Sequence, residues 1–465
     1  MTVHLTKRTR MKTSTTRTIA KVITLSLLTA TVLHATNGDS LIAVGAKSRG
    51  MGGTGIALSH GAESSLSNPA LITSVEGTEI SFGGTLFMPD ISTQLGGSPN
   101  PMLGGFFNQE NYRSDANRNI IPEVSIAHKI NENWYIGAGM FGTAGMGTDF
   151  RNAGTIGGTP TGFNYANFNM VTNLQLLQFA VPVAYKYEGL SVAISAILQY
   201  GNLDINYALP TGQTGSAVNG AGLAQDFGMG WNAGVSYDFD NGLILGAMYK
   251  SAIEMTYGGQ ISTASAPFNQ MIAGANSQVV AGGGPANFYN TMYDGDILEQ
   301  PAEYGVGFSY NAGQHTFAFD YKKIKWSDTE GYGDFGWDDQ DVYAFGYQYS
   351  QDNWALRVGY NYASSAVVEL TGATQMDPTF ISNSANNFFN LLGFPATAEK
   401  HYTFGGTYNL TEAFGIDIAY VYSPTVTKTF DTSAFGATPP NGFALTSITN
   451  THQEDSISFQ LTYKF

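Results

Sequence analysis

Between residues 78 and 465, segments of alternating apolar and polar residues follow one another along the chain. The connections between them are alternately tight turns and long loops. The last segment places Ile457, Phe459, Leu461, Tyr463 and Phe465 on one face and Ser456, Ser458, Gln460, Thr462 and Lys464 on the other. Successive side chains of a strand point to opposite faces, so one face of such a strand is apolar and the other is polar. We count fourteen such segments. Short turns that alternate with long loops are typical of outer-membrane barrels. The sequence therefore predicts an all-β fold, a 14-stranded antiparallel transmembrane β-barrel over residues 78–465.

The composition favours the same class. The chain has 56 Gly, 13% aromatic residues and only 12% charged residues, which departs from soluble averages towards membrane barrels. It has no cysteine, which excludes disulfides, thiol catalysis and cysteine zinc sites.

Residues 1–35 have the pattern of a secretory signal peptide. Six Lys and Arg precede an apolar run over 22–33, which is followed by His34 and Ala35. The run is shorter than the ~20 residues that a membrane-spanning helix needs. Cleavage after Ala35 would change the formal charge from −15 to −21, because the removed segment carries six cations and no acidic residue. Such acidity disfavours nucleic acid as a partner.

The segment 41–70 differs from everything after it. It contains Gly45, Gly50, Gly52, Gly53, Gly55 and Gly61 and ends in Asn68, Pro69 and Ala70. Glycine permits close backbone approach and proline cannot donate to a sheet, so an irregular plug packed inside another structure is expected. Gly50, Gly52 and Gly55 also satisfy G-x-G-x-x-G, but no βαβ unit follows to support dinucleotide binding. A flexible glycine linker is a further alternative.

In the segment from Gly45 to Gly55 and in the Asn68-Pro69-Ala70 element, the chain resembles the FadL-like family of outer-membrane transporters for long-chain fatty acids and other hydrophobic compounds. The resemblance implies that residues 36–77 are an N-terminal hatch in the lumen of the barrel. It also implies passive uptake gated by that hatch. The expected gate residues are Gly50, Gly52, Gly53, Asn68, Pro69 and Ala70.

Several predicted loops are unusually apolar, which makes them candidates for capturing a hydrophobic ligand. Packing of the loops on one another over the barrel is an equally good explanation, and both can hold. The resemblance points to loops 207–226 and 259–302 as capture sites. The candidate capture residues are Phe268, Met271, Ile272, Val279, Val280, Phe288, Phe388, Phe389 and Leu392.

The third strand is rich in glycine, with Gly137, Gly139, Gly142 and Gly145. Glycine in a strand often marks a bulge or a kink. The resemblance implies an inward kink that opens a lateral exit through the wall, whereas close contact with the hatch would explain the same glycines.

Inward-facing Lys250, Lys322 and Arg357 are candidate partners for a ligand carboxylate. Pairing with carboxylates of the hatch or the wall is the alternative for each of them.

No catalytic motif is found, so we expect no enzyme activity, no cofactor and no metal site. The expected partners are a hydrophobic small molecule, outer-membrane lipid with lipopolysaccharide, and the barrel-assembly machinery; the expected form is a monomer. A porin for polar solutes and a surface adhesin or structural barrel are the alternative functions.

Overall fold

The computed structural model describes residues 37–97, 111–151, 168–211, 215–372, 374–435 and 445–465. The predicted signal peptide lies outside these residues. The described strands form one closed antiparallel barrel of fourteen strands, in which each strand pairs with its neighbours in the chain and the last pairs with the first. The predicted fold class is confirmed.

The barrel strands are β1 Thr78–Gly97, β2 Asn119–Lys129, β3 Trp134–Met146, β4 Val171–Tyr187, β5 Leu190–Thr211, β6 Ala224–Asp238, β7 Leu243–Lys250, β8 Glu303–Ala312, β9 His315–Ile324, β10 Gln340–Ser350, β11 Trp354–Ala363, β12 Lys400–Asn409, β13 Phe414–Asp431 and β14 Leu445–Lys464. Two short strands, Tyr112–Arg113 and Gly215–Gly220, pair with the ends of β1 and β5 that carry the long loops.

The alternation of the sequence matches the two faces of the wall. On β14, Phe459 is 47% exposed on the outside, whereas Ser458 is fully buried inside. The outer face meets lipid and the inner face meets the contents of the lumen, which is why apolar residues alternate with Ser, Thr, Gln and Asn.

The helices are α1 Ala46–Arg49, α2 Ser64–Ser67, α3 Gln260–Ala281 and α4 Phe380–Leu392. Short 3-10 turns span Gly61–Glu63, Pro69–Ser74, Trp326–Asp328 and Ser433–Phe435. In the described part of the chain, no helix is both long enough and apolar enough to cross a membrane.

Residues 37–77 lie inside the barrel, and we call them the plug. The plug is irregular, so its backbone polar groups need partners other than a sheet ladder. Polar side chains of the wall supply many of them: for example, the Gly45 amide donates to Glu123 Oε2 on β2 at 2.7 Å. Other plug amides donate to Gln460, Thr403, Asp320 and Glu79, on β14, β12, β9 and β1.

Loops and helices α3 and α4 cover the plug at the end of the barrel that carries the long connections. They share one large apolar core with the upper parts of β3, β4 and β5. The barrel is therefore filled in two layers, the irregular plug and an apolar cover.

Candidate functional site

An apolar pocket lies within the cover, above the plug. Its walls come from β3, β5, α3, α4 and the loops that follow β7 and β9. The lining residues are Met146, Leu203, Ile205, Ile261, Ala264, Ser265, Met292, Leu298, Tyr332, Phe335, Trp337, Phe389, Asn390 and Phe394. The cavity is only about 30 Å³ in volume, so a ligand of more than a few atoms enters only if side chains move.

Aromatic rings close one side of this pocket. Phe268 on α3 contacts Phe389 on α4 with ring centroids 5.1 Å apart, and Phe389 contacts Tyr207 at 5.8 Å. Phe388 completes the group, with its ring centroid 6.2 Å from that of Phe268. Edge-to-face and tilted rings of this kind can rearrange around an apolar guest with little loss of contact.

The structure brings together six of the nine predicted capture residues. They are Phe268, Met271, Ile272, Phe388, Phe389 and Leu392, which all belong to the core of the cover. The other three lie apart: Val280 is 50% exposed near the end of α3, Val279 is half-buried beside it, and Phe288 packs on Tyr289. Only Phe389 among the nine lines the cavity directly.

The floor of the pocket is a hydrogen-bonded group centred on a residue of the plug. The hydroxyl of Tyr332 donates to Asp39 Oδ2 at 2.5 Å, and Gln300 Nε2 donates to the same oxygen at 2.7 Å. All three side chains are buried. Burial raises the pKa of Asp39, although the hydrogen bonds from Tyr332 and Gln300 favour its charged form.

The same stretch of the plug is bonded to β3. The Leu41 amide donates to the Thr143 carbonyl at 3.0 Å, and the Gly145 amide donates to the Asp39 carbonyl at 2.9 Å. Ser40 lies opposite Ala144 in an antiparallel bridge. Residues 39–41 therefore connect the pocket floor to the upper end of β3.

Strand β3 changes partners where its glycines cluster. Its pairing with β2 ends at Phe141, and its pairing with β4 shifts register between Gly142 and Ala144, so that Thr143 is an extra residue. Beyond Phe141, β3 bonds to β4 and to the plug but not to β2. The wall thus has a gap in its ladder between β2 and β3.

Apolar side chains fill this gap from the inside. Leu41 of the plug, Phe87 of β1 and Ile121 of β2 form a small buried cluster. A Cβ at Gly142 would lie 2.5 Å from Ile121 Cγ2. Two of the other predicted glycines of this strand have different neighbours: a Cβ at Gly139 would meet the ring of Phe141, and one at Gly137 would meet Pro182.

The Asn68-Pro69-Ala70 element is anchored to the wall through one side chain. Asn68 is fully buried, and its Nδ2 donates to the carbonyls of Ile56 at 2.6 Å and Val235 at 3.2 Å. Its Oδ1 accepts from the Ala70 amide at 3.1 Å and so caps the turn that begins at Pro69.

The predicted glycines of the plug lie where two backbone segments approach each other, Gly50 and Gly52 at the wall and Gly53 at Ile42 of the plug. Gly52 and Gly53 have φ of 69° and 86°, a region that favours glycine. A Cβ at Gly52 would lie 2.6 Å from the Phe345 carbonyl oxygen. A Cβ at Gly50 would lie 3.0 Å from the Cα of Gly405.

The predicted carboxylate partners lie below the floor and pair with carboxylates of the wall. Lys250 and Lys322 both bind Glu303, at 3.0 and 2.7 Å. Arg357 lies 3.6 Å from Asp417. These three cations are not part of the pocket lining.

Most residues that line the apolar pocket were not predicted from the sequence. Leu203 and Ile205 lie on a part of β5 that reaches the cover, and Leu298, Tyr332 and Trp337 come from acidic loops. The apolar residues of those loops stand singly or in pairs among carboxylates and glycines, so a search for longer apolar clusters does not find them. Within the described residues, no group of three or more His, Asp or Glu is placed to hold a metal ion.

Comparisons with known proteins agree on one class. A family described as "Outer membrane protein transport protein (OMPP1/FadL/TodX)" matches residues 33–465. The chain is 25% identical over 375 residues to the 47 kDa outer membrane protein of Pasteurella multocida, covering 78% of this chain and 81% of that protein. It is 25% identical over 335 residues to the long-chain fatty acid transport protein of Escherichia coli, covering 64% and 71%. The toluene transporter TodX of Pseudomonas putida has the same fold, with a TM-score of 0.61 at 18% identity and coverage of 91% and 99%.

Proposed function

Because the chain belongs to the OMPP1/FadL/TodX family of outer-membrane transport proteins, we propose that it takes up hydrophobic compounds by passive diffusion, with the plug as gate and the wall gap as exit. The observation that carries this proposal is the position of residues 39–41. They bond to the pocket floor through Asp39 and to the upper end of β3 through Leu41.

In the first step, the cover captures the ligand. The rings of Phe268, Phe388 and Phe389 offer apolar surface next to the pocket. Transfer of an apolar molecule from water to such surface is favourable by roughly 25 cal/mol per Å² of buried area. No energy source is needed, because the ligand moves down its own gradient.

In the second step, the ligand displaces the floor. The cavity is smaller than any hydrocarbon substrate, so occupancy must push on its lining. Tyr332 is the lining residue that bonds to Asp39. Displacement of Tyr332 weakens the hold on the first residues of the plug.

In the third step, residues 39–41 leave β3 and uncover the gap between β2 and β3. Leu41 is part of the apolar cluster that fills this gap, so its departure opens a path from the lumen towards lipid. Lateral exit suits a hydrophobic compound, which then avoids water on the far side of the membrane.

A reversible cross-link tests the gate. The chain has no cysteine, so the pair Ser40→Cys and Ala144→Cys introduces the only disulfide, at residues that face each other in a bridge. Directly opposed residues in an antiparallel pair are close enough for a disulfide. We expect the oxidised protein to lose uptake of radiolabelled toluene and the reduced protein to regain it.

The matched control places the same bond in the wall. Thr427 and Thr451 face each other on β13 and β14, with hydroxyls 3.2 Å apart. The pair Thr427→Cys and Thr451→Cys should form a disulfide without changing uptake. Full uptake by the oxidised Ser40–Ala144 pair would show that this segment does not move during transport, and the gate would have to lie elsewhere.

A further inference from the structure

We propose that the transported ligands are uncharged hydrocarbons or esters rather than carboxylates, an inference that rests on the proposed function and assigns its substrate class. None of the Lys and Arg side chains that the structure describes lines the pocket. The segments that form the pocket instead surround it with carboxylates.

The lining itself is neutral. Ser265, Asn390 and Tyr332 are its polar members, and the rest are aliphatic or aromatic. The Tyr332 hydroxyl is already bonded to Asp39, and Asn390 Oδ1 accepts from Trp337 Nε1 at 3.1 Å. An ionised carboxylate in this cavity would lose its hydration without gaining a charged partner.

The structure describes the position of every Lys and Arg that follows residue 36. Of the 21 Lys and Arg, six lie in residues 1–35, and the other fifteen all lie at positions that the structure describes. None of these fifteen lines the pocket. The segments after residue 36 that the structure leaves undescribed contain no Lys or Arg in their sequence, so they cannot add a cation.

The cations closest to the floor lie beneath it and are held by a carboxylate of the wall. Lys250 and Lys322 share Glu303, which is itself buried. They line a separate cavity between the plug and the wall, together with Asp320. A ligand in the upper pocket is separated from them by Asp39, Gln300 and Tyr332.

The loops that supply the lining are strongly acidic. Residues 292–299 and 325–339 contribute Met292, Leu298, Tyr332, Phe335 and Trp337 to the pocket. They contain eight Asp and Glu and one cation, Lys325, which pairs with Asp328 and Asp339. Asp334 and Asp338 are exposed on either side of Phe335 and Trp337. Their negative potential repels an approaching anion and leaves a neutral molecule unaffected.

A matched pair of ligands tests the substrate class. Methyl laurate and laurate have the same tail and differ in charge at pH 8. Binding to the full chain in lipid nanodiscs is followed by tryptophan fluorescence, since Trp337 lines the pocket, and empty nanodiscs correct for partition into lipid. We expect methyl laurate to bind at least about 100-fold more tightly than laurate, because the carboxylate would be buried unpaired.

A charge-reversal variant tests whether the acidic loops cause the weaker binding of laurate. Asp294→Lys with Asp338→Lys changes two exposed side chains of the same acidic loops, so the fold should be preserved. We expect the variant to bind laurate about three- to tenfold more tightly than the unmodified protein, with methyl laurate unchanged.

Each outcome decides a different point. Equal affinity for laurate and methyl laurate would overturn the substrate class and leave the proposed transport intact. Binding of neither methyl laurate nor toluene would overturn both the substrate class and the pocket on which the proposed function depends. Weak laurate binding that the double variant does not improve would assign the discrimination to the neutral lining and overturn the role given to the acidic loops.

Discussion

The Tyr332 hydroxyl and the Asp39 carboxylate are joined by a 2.5 Å hydrogen bond, so a residue that lines the pocket directly holds the first turn of the plug. Both side chains are buried, which makes the bond sensitive to any change in the pocket. No other lining residue donates to Asp39 in the described structure.

Removal of this hydroxyl should loosen the plug. Tyr332→Phe keeps the ring contacts with Trp326 and Trp337, at 4.8 and 4.7 Å, and leaves Asp39 bonded to Gln300. A buried hydrogen bond to a charged group is worth about 1.5–3 kcal/mol, so amides of residues 37–45 should exchange with deuterium about tenfold faster or more.

Tyr293→Phe is the control, because its hydroxyl bonds to Glu330 in the outer loops at 2.8 Å. This variant should leave exchange in residues 37–45 unchanged. Equal effects of the two substitutions would mean that the cover as a whole, and not the bond to Asp39, holds the segment.

Deletion of Thr143 should close the wall gap. Thr143 is the extra residue at the register shift between β3 and β4, so the deletion gives β3 one continuous register. We expect the barrel to assemble and uptake of hydrophobic compounds to fall at least about tenfold, equivalent to a barrier raised by about 1.4 kcal/mol.

Thr143→Ala separates the bulge from the side chain. The hydroxyl of Thr143 has no hydrogen-bond partner within the described structure, so this variant should transport like the unmodified protein. Unchanged uptake after deletion, measured on a barrel of normal heat stability, would argue against exit between β2 and β3.

Asn68→Asp should release the plug from β6. Aspartate can still accept from the Ala70 amide, but it cannot donate to the carbonyls of Ile56 and Val235. A buried charge that faces two carbonyl oxygens should cost about 3–5 kcal/mol of docking free energy. Limited proteolysis of residues 56–74 in the folded barrel measures the effect, with Ser67→Ala as a control. A plug as resistant as the unmodified one would rule out Asn68 as its anchor.

The wall could be predicted from the sequence because each strand residue has one of two environments. Phe459 and Ser458 follow this rule directly. The rule fails where strands extend beyond the membrane, as β13 does above Ser423 with Thr425, Thr427 and Thr429. Both faces of such an extension meet water or other loops, so no apolar alternation identifies it.

The site could be predicted only in part, for a related reason. Glycines such as Gly52 indicate that the backbone packs closely at their position. The sequence does not show which wall residue they approach, because that depends on how the barrel closes. Helix α3 was missed because Pro267 and Gly274 interrupt its helical pattern. Tyr332 and Asp39 are 293 positions apart, and no local pattern connects them.

Docking of the plug should weaken as pH rises, through Glu63. Burial raises the pKa of Glu63 to about 8, although Lys47 nearby opposes the shift. Below the ordinary pKa of 4.5 the carboxyl is protonated whether the plug is docked or released, and its contribution to docking is complete. Between 4.5 and 8 the docked form keeps a proton that the released form loses, so docking free energy should fall by up to about 1.4 kcal/mol per pH unit.

Glu63→Gln should reduce this dependence and dock more firmly than the unmodified plug at pH 8. A nitroxide on Ser74→Cys, the only cysteine of that chain, reports release of the plug in urea at several pH values. The exposed carboxylate of Glu76, changed to glutamine, provides the control and should preserve the pH dependence. If the Glu63→Gln plug and the unmodified plug respond to pH alike, the buried carboxyl of Glu63 does not govern docking, and the slope comes from other buried carboxyls such as Asp39.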